Sequence, residues 1–425
     1  MHFHLSNGSR VCIVGGGPAG SFAALHLLSL ARQRNLDLEV LIFEPRDFSK
    51  PGPSGCNRCA GILSASLLQG LDSLGIQLPD QVIQANIHSY AVHLPGGVLP
   101  IHQPNPTRRI ISVYRGGGPR AAEAPPAASF DAFLLSQASS RGASHIRTLV
   151  RRVLPGSKPT VETPQGSFRA DLVVLATGIN SRAPLDPSFG YQTPKSEVMA
   201  QDEVLRPSDW PADQVQTYFQ DPPGLIFGAL IPKGRYLNIS LLGRRLEDDA
   251  VGRFMQAHSL GGNAGPRFES LCGCRPKVAV GAAPRAYGDR WVAVGDASVT
   301  RLYKDGIGSA FHTAQAAMSA AIELGVSDSA FRHGYARVCR AIRRDNRYGR
   351  WLFALWSLTL RFPALLEAWA EAIRLEESWP AQERYHGRVL WGMFTGDEPY
   401  EQLARLIFHP RALWALGQGY RQRRG

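Results

Sequence analysis

The chain has 425 residues, of which 44% are hydrophobic and 19% are charged, values typical of a globular protein with a core large enough for two subdomains. Its six cysteines are too few for a disulfide scaffold, and no apolar run reaches the roughly 18 residues that can span a bilayer. The net charge of +12 is compatible with phosphate-bearing ligands, but the aromatic-flanked signatures of RNA binding are absent, so we expect no nucleic-acid partner. The first residues, MHFHLSNGSR, lack the apolar segment of a secretory signal, which predicts a cytoplasmic protein.

The first elements in chain order form a βαβ unit. Residues 10–15, RVCIVG, predict a buried strand, a helix follows from Ser21 to about Arg34, and LEVLIFE predicts a second strand that ends at Glu44. Between the first strand and the helix lies the spacing G-x-G-x-x-G, whose glycines allow a tight turn and close approach of a pyrophosphate to the positive helix N-terminus. A carboxylate at the end of the second strand can accept hydrogen bonds from ribose hydroxyls. The unit therefore predicts a dinucleotide site formed by Gly15, Gly17, Pro18, Ala19, Gly20 and Glu44.

The following segments alternate between loops and regular elements. The loop PSGCNRCAG, residues 53–61, precedes a helix that we expect to begin near Ser64 as its cap. Residues 116–129 are rich in Gly, Pro and Ala and predict a flexible surface insertion, after which FDAFLLSQASSRGA predicts a helix. Alternation within residues 197–245 predicts a sheet, and the pattern is helical from about residue 330 onward.

Two motifs far from the first unit favour FAD over NAD. The stretch DLVVLATGINS, residues 171–181, predicts a strand whose end approaches a nucleotide closely at Gly178. The stretch WVAVGDAS, residues 291–298, places Asp296 at a strand end, where its carboxylate could bind the hydroxyls of a ribityl chain. The helix start near Gly308 could face an isoalloxazine ring. Each motif alone could be an ordinary buried strand with a glycine turn, but together they indicate a flavin.

In this order the motifs resemble those of FAD proteins of the p-hydroxybenzoate hydroxylase fold, and most closely those of the geranylgeranyl reductase family, over roughly residues 10–325. The CAG at 59–61 resembles the family's cysteine-containing loop near the flavin, and IPKG at 231–234 resembles its F-P-K-G turn. Arg115 with FDAFLLSQA resembles its R-x-x-F-D-x-x-L segment, split here by an insertion, and GDAS with GIGSA matches its GD-A motif. The family usually carries a proline after GD-A that VTRLYKDG lacks, which leaves the substrate and the chemistry open.

The resemblance implies an α/β fold that combines a Rossmann-like FAD-binding domain, an inserted antiparallel-sheet substrate domain and a C-terminal helical region. The implied bounds are 1–85, 108–190 and 275–330 for the first domain, 86–107 and 191–274 for the second, and 331–425 for the helical region. Beyond the first unit, the cofactor-binding residues that we predict are Cys59, Ala60, Arg115, Gly178, Asp296, Gly308 and Ser309.

The implied activity is FAD-dependent reduction of C=C bonds in a prenyl chain, with NAD(P)H or a reduced carrier protein as the electron donor. Two alternatives stay open: an FAD-dependent monooxygenase of the same fold and a non-catalytic flavin electron carrier. Halogenases of this fold usually show W-x-W-x-I-P, whereas this chain has FGALIP without either tryptophan.

The pair Cys56 and Cys59 has four interpretations. A zinc site would need Cys272 and Cys274 as further ligands, but their spacing fits no familiar zinc knuckle. A redox disulfide of the pyridine-nucleotide reductase type would need a second nucleotide fingerprint, which is missing. The cysteines could also pack in a loop as small apolar residues. The resemblance implies the fourth, with Cys59 near the flavin or the reacting alkene, as a candidate catalytic residue; we predict no metal and leave the role of Cys56 open.

The segment 332–350 is strongly basic and precedes the apolar run WLFALWSLTL, which is too short to span a bilayer. The arginines that share one helical face are Arg337, Arg340, Arg344 and Arg347. One interpretation is a solvated face followed by a buried helix. The other is an interfacial helix over 332–360 that contacts the inner face of a membrane, with Trp351 and Trp356 among the lipid headgroups.

Overall fold

The computed structural model describes residues 3–57, 60–219, 224–258, 260 and 269–422. The β-strands within these ranges are β1 (Ser9–Val14), β2 (Leu38–Phe43), β3 (Ile62–Leu63), β4 (Ile83–Asn86), β5 (Ser89–Leu94), β6 (Gly97–His102), β7 (Ile111–Val113), β8 (Ser144–Ile146), β9 (Arg152–Leu154), β10 (Thr160–Thr163), β11 (Gly166–Arg169), β12 (Leu172–Leu175), β13 (Ser196–Leu205), β14 (Gln214–Tyr218), β15 (Leu225–Lys233), β16 (Tyr236–Gly243), β17 (Lys277–Ala279), β18 (Tyr287–Gly288) and β19 (Trp291–Ala293). The α-helices are α1 (Pro18–Gln33), α2 (Ala65–Ser73), α3 (Phe130–Ser140), α4 (Ala250–Ala257), α5 (Gly306–Glu323), α6 (Asp328–His333), α7 (Tyr335–Thr359), α8 (Pro363–Glu376), α9 (Tyr385–Thr395), α10 (Tyr400–Ile407) and α11 (Pro410–Gln422).

The first layer is a sheet with the strand order β18-β19-β12-β1-β2-β8, in which β1 pairs in parallel with both β2 and β12. Its strands are almost continuously apolar because both faces are covered. Helix α1, together with α3 and α5, packs on one face, and apolar residues of β9, β10 and β11 pack on the other. The crossover from β1 through α1 to β2 is the predicted βαβ unit, although α1 already begins at Pro18. The predicted α/β fold is therefore confirmed.

The second large sheet has the order β17-β13-β16-β15-β14-β5-β6 and is antiparallel except where β14 pairs in parallel with β5. It confirms the sheet predicted for residues 197–245. The turn of IPKG joins β15 and β16, with Lys233 paired to Tyr236 and Gly234 at a φ of 60°. A glycine suits that left-handed conformation. One face of this sheet packs against the C-terminal helices through Phe227, Ile231 and neighbouring apolar residues.

The C-terminal helices follow the predicted helical pattern, but the two tryptophans of α7 have different environments. Trp356 is only 4% exposed and lies against the rings of Phe219 and Trp369, with centroid distances of 5.5 and 5.8 Å. Trp351 is 39% exposed and stacks on Phe408 at 5.6 Å. The placement of Trp356 among lipid headgroups is therefore wrong, because that side of α7 forms part of the core. None of the described helices combines the length and apolar character needed to cross a bilayer.

The segment 116–129 is not simply a flexible surface insertion. Residues 116–119 are buried, and backbone hydrogen bonds join Gly117 N to Lys50 O at 2.9 Å and Gly52 N to Gly118 O at 2.8 Å. The glycines here permit two backbone segments to approach closely. The exposed residues of the segment lie mainly in its middle. The segment therefore supports the loop that leads to Cys56 and Cys59. Replacing the whole segment would disturb that loop.

Candidate functional site

A cleft of about 390 Å³ lies between the carboxyl ends of the parallel strands and the second sheet. Its walls include the residues directly after β1, β2 and β12 together with one face of β13 to β16. In open α/β sheets, ligands bind in the crevice outside the carboxyl ends of the strands. The fold therefore places the predicted cofactor residues at the edge of the sheet where a ligand is expected.

Most of the predicted residues line this single cleft. They are Gly15, Gly17, Pro18, Ala19, Glu44, Ala60, Arg115, Gly178 and Asp296. Three others, Gly20, Gly308 and Ser309, lie behind the lining, so direct contact with a cofactor stays a prediction at those positions. Cys59 lies outside the described residues, and the catalytic role proposed for it stays a prediction as well.

Gly17 and Gly20 have different structural roles in the glycine turn. A Cβ added to Gly20 would lie 1.9 Å from the carbonyl oxygen of Gly15, so Gly20 allows α1 to pack directly on the turn. Gly17 is the N-cap of α1 and borders the cleft, where an added Cβ would lie 3.1 Å from Asn57 Nδ2 and 3.9 Å from Arg115 Nη2. Gly17 thus leaves the helix N-terminus accessible to an anion.

The carboxylate of Glu44 is buried and already oriented. Its Oε2 accepts a hydrogen bond from Gly16 N at 3.0 Å, and Arg46 Nε donates to Oε1 at 2.9 Å. Arg46 also donates from Nη1 to Asn57 Oδ1 at 2.5 Å. The sequence analysis missed Arg46 and Asn57, although an arginine two residues after the glutamate was visible. Because the Arg46 side chain is 33% exposed, it can shift when a hydroxyl group binds the carboxylate.

Arg115 is held in place by Asp131, which the sequence analysis did not single out. The guanidinium donates from Nε to Asp131 Oδ1 at 2.7 Å and from Nη2 to Oδ2 at 2.9 Å, while Asn57 Nδ2 donates to Oδ2 as well. Asp131 is fully buried, and such bidentate pairs fix the plane of the guanidinium. Arg115 and Arg46, joined through Asn57 and each paired with a buried carboxylate, therefore form a preformed guanidinium edge beside the N-terminus of α1.

Asp296 lies directly after β19 and faces the same cleft. Burial raises the pKa of its carboxyl group, and the positive charge of Arg115 opposes that shift. The carboxyl group of Asp305, the residue immediately before α5, is also buried, and burial raises its pKa to about 6. Ser64 Oγ donates to Asp305 Oδ1 at 3.0 Å and thereby links the cap of α2 to the start of α5.

The loop 299–305 is fixed by the C-terminal helices. Asn346 accepts from Leu302 N at 2.8 Å and donates to Thr300 O at 2.9 Å, and Tyr400 OH donates to Leu302 O at 2.5 Å. The Arg301 guanidinium donates to the carbonyl oxygens of Gly396 and Glu398. The stretch without the family's proline is therefore ordered by residues far along the chain.

Ser309 completes this arrangement from the side of α5. Its Oγ accepts from Arg301 N at 3.0 Å and donates to Asp305 O at 2.9 Å. A Cβ added to Gly308 would lie 2.3 Å from Asp305 Oδ1. Both residues thus shape the loop that borders the cleft.

The part of the cleft beside the second sheet is largely apolar. The apolar residues that line it include Tyr90, Met199, Val215, Phe227, Ala229, Ile231, Leu242 and Phe394. Lys304 enters this region from the loop, with Nζ 3.6 Å from the centroid of the Phe227 ring, and burial lowers the pKa of its amine to about 7. The sequence analysis did not identify Lys304, because only the fold turns it toward the sheet.

The described residues contain no group of three or more His, Cys, Asp and Glu side chains placed to hold a metal ion. The backbone N–H of Cys272 donates to Asp202 Oδ1 at 3.0 Å, and burial raises the pKa of the Cys272 thiol. A raised pKa disfavours the thiolate that zinc requires. Because Cys59 lies outside the described residues, the complete set of four cysteines is not tested.

Neither a protein-family model nor a curated protein matches the chain. Among solved structures, a geranylgeranyl bacteriochlorophyll reductase-like protein from Thermoplasma acidophilum matches with a TM-score of 0.66 at 16% identity, covering 98% of this chain and 100% of that one. A flavoprotein/dehydrogenase from Cytophaga hutchinsonii matches with a TM-score of 0.62 at 16% identity, covering 94% and 98%. The p-nitrophenol 4-monooxygenase PnpA from Pseudomonas putida DLL-E4 matches with a TM-score of 0.56 at 15% identity, covering 97% and 99%. These similarities confirm, at the level of the fold, the resemblance that the motifs predicted.

Proposed function

We propose that the protein is an FAD-dependent oxidoreductase that reduces C=C bonds in a prenyl chain. The observation that carries this proposal is the convergence of a glycine turn, an oriented acidic strand end and a fixed arginine on one cleft whose other end is apolar. Structural neighbours named as a flavoprotein/dehydrogenase and as flavin-dependent halogenating enzymes support the cofactor.

The residues present fit FAD. The N-terminus of α1 at Gly17, which borders the cleft, would hold the pyrophosphate, with Arg115 as a further positive group beside it. Glu44 would accept hydrogen bonds from the ribose, and Asp296 from the ribityl chain. Cys59 and Ala60 would lie near the ring, as the resemblance implies. When bound and reduced, FAD would supply a hydride to one carbon of the alkene, and a proton from a second donor would complete the reduction at the other carbon.

The chain itself contributes a largely apolar chamber. The side chains of Phe227, Ile231 and Leu242 project from adjacent strands of one sheet, and Phe394 closes the space from α9. Burial of apolar surface supplies roughly 25 cal/mol per Å², so a prenyl chain gains free energy by leaving water for this wall. Exclusion of water also protects a reduced cofactor from side reactions.

A monooxygenase of the same fold is the second candidate. The rings of Tyr90, Phe227 and Phe394 would also accommodate an aromatic substrate, and the neighbour named as a p-nitrophenol 4-monooxygenase has a TM-score of 0.56 with this chain. A non-catalytic electron carrier would not need a chamber of this kind. The electron donor in either case is NAD(P)H or a reduced carrier protein.

An anaerobic single-turnover experiment distinguishes these functions. Chemically reduced holoprotein is mixed with geranylgeraniol, and the expected result is reoxidation of the flavin together with a product that has gained two hydrogens per reduced double bond. In a parallel reaction with air admitted, oxygen-dependent hydroxylation of p-nitrophenol, with no hydrogenation of the prenyl alcohol under either condition, would instead establish the monooxygenase. Electron transfer to an artificial acceptor without turnover of either compound would establish a carrier.

We also propose that the exposed side of α7 contacts an anionic membrane surface. Arg340, Arg344, Arg347 and Trp351 follow one another at helical spacing along this side and are all exposed. Arginines paired with lipid phosphates and aromatic rings at the headgroup level are typical of interfacial helices. A prenyl substrate dissolved in a membrane would be delivered at this side.

Replacement of Trp351 and Phe408 by Ser is expected to weaken binding to vesicles that contain phosphatidylglycerol several-fold, because the variant loses the exposed aromatic pair. Sedimentation with vesicles measures the effect. Val98→Ser, which removes an apolar side chain that is 53% exposed on β6, is the matched control and should bind like the wild type. Equal binding of all three proteins, or no preference for anionic over phosphatidylcholine vesicles, would contradict the proposal.

A further inference from the structure

Lys304 is a cation directed into the apolar part of the cleft. Its Nζ lies over the face of Phe227 on β15, which is part of the sheet wall. Behind it, Gly396 packs so closely that a Cβ added to Gly396 would lie 2.9 Å from Lys304 Cβ. The side chain therefore extends from the loop toward the sheet side of the cleft.

The amine has no partner of opposite charge. Within the part of the chain that the structure describes, Lys304 makes neither an ion pair nor a hydrogen bond. Its neighbours in the loop are already engaged, since Asp305 accepts from Ser64 and Tyr303 OH donates to Glu197 at 3.3 Å. Lys304 is partly buried and borders the cleft, so a ligand that fills the cleft would displace water from the amine and could supply the acceptor that it lacks.

The position of Lys304 is fixed by the hydrogen bonds and the backbone conformation of its loop. Leu302, two residues before Lys304, is hydrogen-bonded through its N–H to Asn346 of α7 and through its carbonyl oxygen to Tyr400 of α10. Tyr303 and Asp305 have φ values of 65° and 55°, a conformation that non-glycine residues adopt rarely. The fold thus maintains an unusual backbone that directs the amine into the chamber.

We propose that Lys304 binds an anionic oxygen group of the substrate, a carboxylate or a phosphate, inside the otherwise apolar chamber. The inference rests on the proposed function only in taking this chamber as the substrate site. It deepens that function by assigning the substrate a negatively charged group in addition to its apolar part. The cation–π contact with Phe227 keeps the amine in place while no anion is bound.

Calorimetric titration of the flavin-loaded protein tests the inference with probes that share one C20 chain: geranylgeraniol, geranylgeranoic acid and geranylgeranyl phosphate. One charge-assisted hydrogen bond contributes roughly 1.5–3 kcal/mol. We therefore expect at least one of the two anions to bind about tenfold to a hundredfold more tightly than the alcohol. The stronger of the two identifies a carboxylate or a phosphate as the group that Lys304 recognises.

Three variants assign the effect to Lys304. K304M should abolish the preference for the anions, and K304R should retain most of it because the charge persists. Lys277→Met removes an exposed lysine at the rim of the same cleft and should behave like the wild type. Flavin content and melting temperature are measured for each variant, and K304R carries the test if K304M does not fold.

The pH dependence gives a second measurement. Burial lowers the pKa of the Lys304 amine to about 7, so the amine is protonated below that pH and loses its proton above it. The charged groups of the same loop are Arg301 and Asp305, which lie 3.7 Å apart, and burial raises the pKa of Asp305 to about 6, so its titration falls below the pH at which Lys304 changes charge. The preference for the anion over the alcohol should therefore be largest below pH 7 and should weaken above it.

The outcomes separate the inference from the proposed function. Equal affinity for all three prenyl probes would overturn the inference and leave the prenyl function standing. Lys304-dependent binding of 4-hydroxybenzoate without binding of any prenyl probe would support the inference and overturn the prenyl function. Binding of an anion that K304M leaves unchanged, or no binding of any anion, would overturn the inference.

Discussion

Gly17→Val is expected to give a folded protein that no longer retains flavin. At this position the nearest atoms to an added Cβ belong to the side chains of Asn57 and Arg115, at 3.1 and 3.9 Å, so the new side chain occupies the cleft without striking the backbone. The methyl groups would take the space that a pyrophosphate needs. Steric overpacking of this kind costs about 1–3 kcal/mol, in addition to the contacts that are lost. Flavin absorbance per chain after purification, together with the melting temperature, measures the two effects separately.

The matched control is Gly20→Val, three residues along the same turn. A Cβ there would lie 1.9 Å from Gly15 O, so this variant should lose stability as well as flavin. If Gly17→Val instead retains a full complement of flavin, the glycine turn does not hold the cofactor. Equal destabilisation of the two variants would show that Gly17 has a packing role.

Arg301→Ala is expected to produce the largest loss of stability among single substitutions of the loop. The guanidinium lies 3.4 Å from Asp345 and 3.7 Å from Asp305, bonds two carbonyl groups of the C-terminal region and covers the Tyr400 ring at 4.9 Å. Removing one partner of a buried ion pair is destabilising by roughly 3–5 kcal/mol, since it leaves uncompensated buried charge. Urea unfolding of the flavin-loaded protein measures the change.

Arg253→Ala is the control, because Arg253 pairs with Glu247 and Asp249 at the surface, where all three side chains are at least 40% exposed. Surface pairs of this kind contribute about 0–1 kcal/mol. A similar small loss for Arg301→Ala would contradict the view that the C-terminal helices hold the loop beside the cleft.

Local sequence patterns predicted much of the fold. The strand–turn–helix around the glycine turn, the cap at Ser64 and the sheet within 197–245 all form where expected. Each depends on interactions between residues close in sequence, such as the hydrogen bond from Leu67 N to Ser64 Oγ at 3.3 Å. Patterns of this range are visible in a single sequence because the residues that interact are the residues that alternate or cap.

The features that were missed depend on contacts between distant segments. Arg46 and Arg115 form one guanidinium edge only because hydrogen bonds through Asn57 and Asp131 join them. The sequence shows that Lys304 lies in a loop without the family's proline, but its direction is set by helices that begin some distance further along the chain. Such contacts produce no periodicity or spacing that is visible in a single sequence.

The same limit explains the two expectations that the structure corrected. Helical periodicity places Trp351 and Trp356 on different sides of α7, but only the packing of α8 and the second sheet decides which side is buried. The glycines within 116–119 have the composition of a flexible insertion, whereas their backbone hydrogen bonds make them part of a packed support. Composition alone does not distinguish a glycine in a flexible loop from a glycine that allows two backbone segments to pack closely.

The central claim is that the cleft formed by the glycine turn, Glu44, Arg115 and Asp296 holds FAD. It is tested most directly by denaturing the purified protein and identifying and quantifying the flavin that it releases. The account predicts one FAD per chain, released without breaking a covalent bond, and restored on reconstitution of the flavin-free protein. A colourless protein that releases no flavin and takes up none when FAD is added would contradict it.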